Sequence, residues 1–250
     1  MILAIETATD VCGVALVHGG RVIGERSVNE KKIHSEKLLP MIDEILRGAM
    51  IPLSSVDAIA VSIGPGSFTG LRIGLSAAKG LACARHKPIV AVPTLDALAF
   101  EYFRGGGARD GDTVCPVIDA KRDEGFFCFY GVSTSGIARS ALYEIAVVSK
   151  IAEAAAVYGS VTFVGDGAAK MEMIAASNGS FRSAPHIVCS PVSVGFVAEN
   201  EGRRLADEEF VMLEPMYIRD FLATQPGGKR YPIIQKGPAE LPPITHSPKE

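Results

Sequence analysis

No run of about 18 consecutive apolar residues occurs in this sequence, so no part of it reads as a membrane-spanning helix. The opening "MILAIETA" reaches Glu6 without a basic n-region, which does not fit a secretory leader. Basic residues are not in surplus either. Lys and Arg number 25 against 28 Asp and Glu, for a net charge of -3, and a chain without a clustered basic excess does not grip nucleic-acid phosphates unaided. The five cysteines (Cys12, Cys83, Cys115, Cys128, Cys189) are odd in number, far apart and mostly set in apolar runs such as "GLACA" and "FFCFY", which is the usage of reduced thiols and not of a disulfide framework. These absences predict a cytoplasmic protein with no membrane role and any tRNA or DNA role shared with a partner. What is plentiful is apolar: 48% of residues are hydrophobic and 21% charged, enough over 250 residues to build a core without disulfide or metal.

Three short β-type runs, "ILAIET" (Ile2–Thr7), "CGVALV" (Cys12–Val17) and "RVIGERSV" (Arg21–Val28), with "HGG" as a turn between the last two, predict an antiparallel meander. Leu38, Leu39, Ile42, Ile45, Leu46 and Ala49 then recur at helical spacing, with Ser35 placed to cap the helix and Pro40 tolerable in its first turn. "VDAIAVSIG" reads as a buried strand, 68–85 as a second helix, "PIVAV" as a strand and Thr94–Phe103 as a third helix. The order β-β-β-α-β-α-β-α mixes a meander with parallel crossovers, the pattern of the ribonuclease-H-like core of actin-like ATPases: α/β, mixed sheets flanked by helices. "RGGGARDGD" (Arg104–Asp112) marks a linker. Beyond it "TVCPVIDAKR", "EGFFCFYGVST" and "SALYEIAVV" predict three strands, followed by a helix over Lys150–Tyr158, a strand "VTFVGDG" and helices around Met171 and over 194–206. Two ribonuclease-H-like lobes are expected, over 1–104 and 105–225, with a Pro-rich tail over 226–250 expected to be disordered.

"GPGSFTGLRIGLSAAKGLA" puts Gly64, Gly66 and Gly70 at a strand-to-helix junction, where backbone N–H groups can hold an anion. It is neither a Walker loop, lacking Gly-Lys-Ser/Thr, nor a dinucleotide fingerprint, since Thr69 stands where the third glycine belongs. Gly66, Gly70, Gly74, Ala78 and Ala82 recur every fourth position and make a smooth strip on one helical face. The spacing leaves open whether the domain's own sheet or a second subunit approaches that strip. The apolar stripe Leu38, Leu39, Ile42 and Ile45, beside polar Glu36, Lys37, Asp43 and Glu44, adds weight to the subunit. An interface over Leu38, Leu39, Ile42, Ile45, Gly70, Leu71, Gly74, Ala78 and Leu81 is therefore expected, one that Ile42→Glu or Gly74→Arg would break in a chain that still folds.

"ILAIETATDVCGVAL", "HSEKLLPMIDEIL", "VSIGPGSFTGLRIGLSAAKGLA", "VPTLDALA", "DAKRDEGFF" and "EPMYIRD" follow one another in the order found in the bacterial TsaB (YeaZ) family, which the chain resembles as far as Asp220. TsaB-like proteins are paralogues of the TsaD/Kae enzymes that place threonylcarbamoyl on the adenosine beside the tRNA anticodon. The resemblance implies a non-catalytic partner that pairs with TsaD through the first two helices and works with the ATPase TsaE on threonylcarbamoyl-adenylate made by TsaC. It further implies a homodimer when alone, no cofactor required by this chain, metal and ATP on partner subunits, and tRNA contact only through the complex. TsaD-like enzymes carry His-Leu-Glu-Gly-His after the last strand of the first lobe, two histidines on one helical face that hold a metal. Here the segment is Thr94-Leu95-Asp96-Ala97-Leu98, and leucine offers no donor. The remaining His18, His34, His86, His186 and His246 contain no pair at ligand spacing, so no metal site is expected.

An actin-like ATPase or small-molecule kinase is the alternative. It would use Asp10 of "ETATD" to orient a metal-bound phosphate, and Gly165 and Gly167 of "GDGAAK" as a second-lobe nucleotide loop. Against it, Asp10 also reads as a turn residue bonding its own backbone, and Asp166 puts negative charge into the loop. A glycoprotease-like peptidase is weaker still: there is no Gly-x-Ser-x-Gly elbow, and nothing marks a base for Ser67. "DAKRDEG" (Asp119–Gly125) reads as a solvated hairpin turn, with a partner or tRNA contact through Lys121 and Arg122 as the other reading.

Overall fold

The three short β-type runs at the start of the chain pair as the sequence predicts. In the computed structural model, which describes residues 1–218, 223–224 and 230–231, Ile2–Glu6 (β1), Val11–His18 (β2) and Arg21–Asn29 (β3) form an antiparallel meander. Ile2 pairs with Val17 and Glu6 with Gly13, while Val11 pairs with Asn29. The turn between β2 and β3 needs left-handed backbone at Gly19 and Gly20, with φ of 57° and 75°.

Ala58–Gly64 (β4) and Ile89–Pro93 (β5) extend this sheet in parallel from β1. Helices make the crossovers: His34–Gly48 (α1) before β4, Phe68–Arg85 (α2) before β5, and Thr94–Arg104 (α3) after it. The resulting order β3-β2-β1-β4-β5 is that of the expected ribonuclease-H-like fold. β1 and β4 are buried on both faces, with α1 and α2 covering one side and α3 the other. Ser35 does not cap α1; the helix starts at His34, whose Nε2 lies 3.0 Å from Thr9 O and 3.2 Å from Val11 O. Pro40 stands inside α1 and not in its first turn, on the exposed face, where its missing N–H removes no buried bond.

The second lobe is built on Thr113–Asp119 (β6), Glu124–Phe127 (β7), Tyr130–Ser133 (β8), Gly136–Arg139 (β9) and Glu144–Val147 (β10). Val148–Ala155 (α4), Val161–Val164 (β11), a 3-10 turn over Asp166–Met171, Glu172–Ser177 (α5) and Phe181–Ala184 (β12) follow. "EGFFCFYGVST" is two strands and not one. β7 pairs with the end of β6 (Val117 with Phe127) and β8 with its start (Thr113 with Gly131), so the chain breaks at Cys128–Phe129 to change partners.

Pro191–Glu201 (α6) begins earlier than predicted because Ser190 caps it, accepting from Ser193 N–H at 3.1 Å, and Pro191 fills the first position. It packs on β1 and β2, with Gly195 against Val17 and Ala4, and Glu199 accepts from Gly19 and Gly20 N–H at 2.6 and 2.8 Å. Arg204–Leu205 (β13) then pairs with β5, and Asp207–Val211 (α7) packs on α2. The chain after Ser190 thus returns to the first sheet, so packing does not follow the lobe expected over 105–225. Ala223–Thr224 (β14) and Arg230–Tyr231 (β15) pair with each other. The rest of the tail over 226–250 lies outside the described residues. No helix among the described residues is long and apolar enough to cross a membrane.

Candidate partner-binding groove

The small-residue strip of α2 faces inward. A Cβ at Gly66 would overlap Ala8 O, one at Gly70 would overlap Thr7 O, and one at Gly74 would overlap Thr7 Oγ1. The strip therefore seats the "ETATD" turn that follows β1. Ser67 N–H donates to Ala8 O at 2.7 Å and Ser67 Oγ accepts from Gly70 N–H at 3.2 Å. From the other side Glu6, fully buried, accepts from Ala8 and Thr9 N–H at 2.8 and 3.2 Å and from the Cys189 thiol at 3.3 Å. Burial raises the Glu6 pKa above the usual carboxylate range.

This corrects most of the interface expected from the sequence. Leu38, Ile42, Ile45, Leu71 and Ala78 are buried in the core beneath α1 and α2, and Gly70 and Gly74 are sealed against Thr7. Leu81 is half-buried against the same core. Each of the three large α1 side chains stabilises the fold by roughly 1.5–3 kcal/mol. Ile42→Glu and Gly74→Arg are thus expected to unfold the chain and not to probe a surface. Of the expected set, Leu39 alone is a large exposed side chain, at 58%.

The surface that α1 and α2 do offer lies one residue round α2 from the strip. There Ile73 and Ala77, half-buried, alternate with Arg72 and Ser76 and face Ser35, Leu38 and Leu39 of α1 across a groove of about 490 Å³. Phe68, 38% exposed, closes one end, with the Arg72 guanidinium 5.0 Å above its ring centroid. Sequence reasoning missed Phe68, Arg72, Ile73 and Ala77 because it followed the smallest side chains. In a helix the smallest face is the one approached most closely, here by the chain's own backbone. The signal available was the Ile73–Ala77 pair at i, i+4, one residue before Gly74 and Ala78 of the strip.

The Thr94–Leu98 segment is committed to packing. Thr94 Oγ1 accepts from Gly64 N–H at 3.1 Å, and Leu98 lies in the core. Asp96 joins the lobes: its buried Oδ1 accepts from Tyr130 and Tyr143 hydroxyls of the second lobe at 2.5 and 2.7 Å, and Arg139 sits 4.5 Å above the Tyr143 ring. Burial pushes the Asp96 pKa up from 3.8 to about 6, against the lowering effect of both tyrosines and Arg139. A native pKa above the unfolded value means that protonation favours the fold, so this stability is fully present below about pH 4 and is lost as pH rises through about 6. The stability difference between the wild type and Asp96→Asn is expected to move by roughly 2–3 kcal/mol against the wild type over that window. Urea titrations at pH 4 and pH 7 check it; a constant difference contradicts it.

Asp10 and Gly165 do meet, with Asp166, on a cavity of about 190 Å³ between the lobes. Gly165, at φ 101°, has Val117 O 2.5 Å from where a Cβ would stand, and Gly167 has the Val117 side chain at 2.8 Å. Close packing on β6 thus accounts for both glycines. The cavity presents Asp10 and Asp166 and no Lys or Arg among its described lining residues, a setting that disfavours phosphate; burial raises the Asp166 pKa. Lys121 and Arg122, at φ 67° and 52°, form the tip of the β6–β7 hairpin. Lys170 ties that tip from below through Asp119 Oδ1, Arg122 O and Glu124 O at 2.6, 2.8 and 2.9 Å.

A family model described as "TsaD: tRNA N6-adenosine threonylcarbamoyltransferase" matches residues 21–223. The solved structure of YeaZ from Pseudomonas aeruginosa superposes with a TM-score of 0.72 at 30% identity, over 86% of this chain and 98% of that one. The chain belongs to the TsaB (YeaZ) branch of the TsaD family. The tRNA threonylcarbamoyladenosine biosynthesis protein TsaB of Haemophilus influenzae is 38% identical over 128 residues, 50% of this chain and 52% of that protein. TsaB of Escherichia coli is 38% identical over 136 residues, 54% of this chain and 57% of that protein. The chain thus spans about half the length of these curated TsaB relatives in the matched region. In this TsaB-family chain the α1–α2 groove lies open on the first lobe, and the segment after β5 serves packing.

Proposed function

We propose that this chain is the non-catalytic partner of a TsaD-type subunit in making threonylcarbamoyladenosine on tRNA, and that it docks through the α1–α2 groove. The groove carries the reading: Leu39 and Phe68 stand exposed on helices whose opposite faces are anchored in the core, so the surface is rigid before it binds. The names borne by the relatives supply the pathway, and in it TsaE and TsaC would act alongside the pair. Metal and ATP belong on the partner subunits, since Thr94 and Leu98 are taken up by packing and the inter-lobe cavity offers phosphate no cation among its described lining residues. With a net charge of -3, tRNA contact falls to the complex, and a second copy would cover the groove when the partner is absent.

Calorimetric titration of the chain with its cognate TsaD-type subunit is expected to give one-to-one binding with a Kd below about 1 μM. No heat at tens-of-micromolar concentrations would overturn the proposal.

A further inference from the structure

The "EPMY" run, Glu214–Tyr217, lies far from α2 in sequence but ends on it in space. Met216 N–H donates to Ile63 O at 2.7 Å, and the Met216 side chain is buried in the core that Leu213 and Ile218 also pack against. Farther back, Lys79 of α2 donates to Val211 O at 2.8 Å. The segment is therefore strapped to the first lobe. Between Met216 and Ile218, Tyr217 packs onto Phe68, with ring centroids 5.3 Å apart and planes at 33°. Arg72, already over the Phe68 ring, and Glu214 both act electrostatically on the Tyr217 hydroxyl, with opposite signs.

We infer that Tyr217, Phe68 and Arg72 form one anchor at the mouth of the groove, and that the strap is part of the surface that holds the partner. This rests on the docking proposed above and adds to it an element that the two helices do not contain. Aromatic and arginine side chains, held in place before binding, carry a disproportionate share of interface energy. The occupant that fits is a helix of the TsaD-type subunit with an apolar stripe and a carboxylate. Beyond the apolar side chains of Leu39 and Ile73, the groove presents the Arg72 guanidinium, and none of its described lining residues is acidic.

The full-length chain carrying Tyr217→Ala, Phe68→Ala or both is titrated against the cognate subunit, with Leu39→Glu alongside and a thermal melt of each. Tyr217→Ala is expected to weaken binding about tenfold or more with a melting temperature within about 2 °C of wild type, and the double variant to lose less than the product of the singles. Wild-type affinity in Tyr217→Ala while Leu39→Glu abolishes binding overturns the anchor and leaves the groove standing. Undiminished binding by Leu39→Glu overturns the groove itself. Should Tyr217→Ala fail to fold, Arg72→Glu on the exposed side of α2 decides: about tenfold weakening or more is expected, and unchanged binding overturns the anchor.

Discussion

Leu39→Glu is expected to weaken binding to the TsaD-type subunit by about a hundredfold or more and to leave the melting temperature within about 2 °C of wild type. Leu39 is the large aliphatic side chain of α1 that the fold leaves outside, while Leu38, one position back, and Ile42, one turn on, are buried beneath it. A carboxylate at 39 therefore stays hydrated in the free chain and costs little. In the complex it would be stripped of water in an apolar groove with no partner of its own, a cost of several kcal/mol. The same change at Ile42 places the charge in the core and is expected to abolish folding. Calorimetric titration with a melt of each variant separates the two cases. Wild-type affinity in a folded Leu39→Glu chain would overturn the groove as the docking surface.

Gly70→Ala is expected to destabilise the chain by about 3 kcal/mol or more, reversing the ordinary sign of a glycine-to-alanine change in a helix. The added methyl would run into the carbonyl oxygen of Thr7, backbone that cannot step aside. That turn is held by Ser67 N–H on Ala8 O and by Glu6 on Ala8 and Thr9 N–H. Gly80, in the same helix, has nothing within 4 Å of where a methyl would stand, and Gly80→Ala is expected to stabilise by roughly 0.5–1 kcal/mol. Urea denaturation of both variants measures the contrast. Equal effects would mean that the α2 strip does not seat the first turn.

The meander, the helices and the parallel crossovers were legible because each rests on a short-range pattern: short apolar runs separated by turn residues in β1 and β2, an i, i+4 stripe in α1, an apolar run bounded by turns in β4. What lies against a face is a different kind of fact. The strip of α2 was visible as a strip, yet nothing in its spacing tells Thr7 and Ala8 from another subunit, and the groove one residue round the helix passed unread. Asp96 stood out as a departure from a ligand motif. Its tyrosines come from the other lobe, 34 and 47 residues away, where no periodicity links them. β9 (GIAR) and β12 (FRSA) hold one large apolar residue each, so no apolar run marks them, unlike β10 and β11 of the same length. The return of α6 to the first sheet brings Glu199 to the Gly19–Gly20 turn, a contact 180 residues apart that is not written in either segment.

Threonylcarbamoyl transfer to tRNA by the cognate TsaD-type subunit, given the ATPase TsaE, ATP and threonylcarbamoyl-adenylate, is the most direct test of the partner role. It is run with the wild-type chain, with Leu39→Glu and with no chain. Transfer is expected with the wild-type chain, with a fall to the no-chain level for Leu39→Glu and none when the TsaD-type subunit is left out. Equal transfer with and without the chain would contradict the partner role.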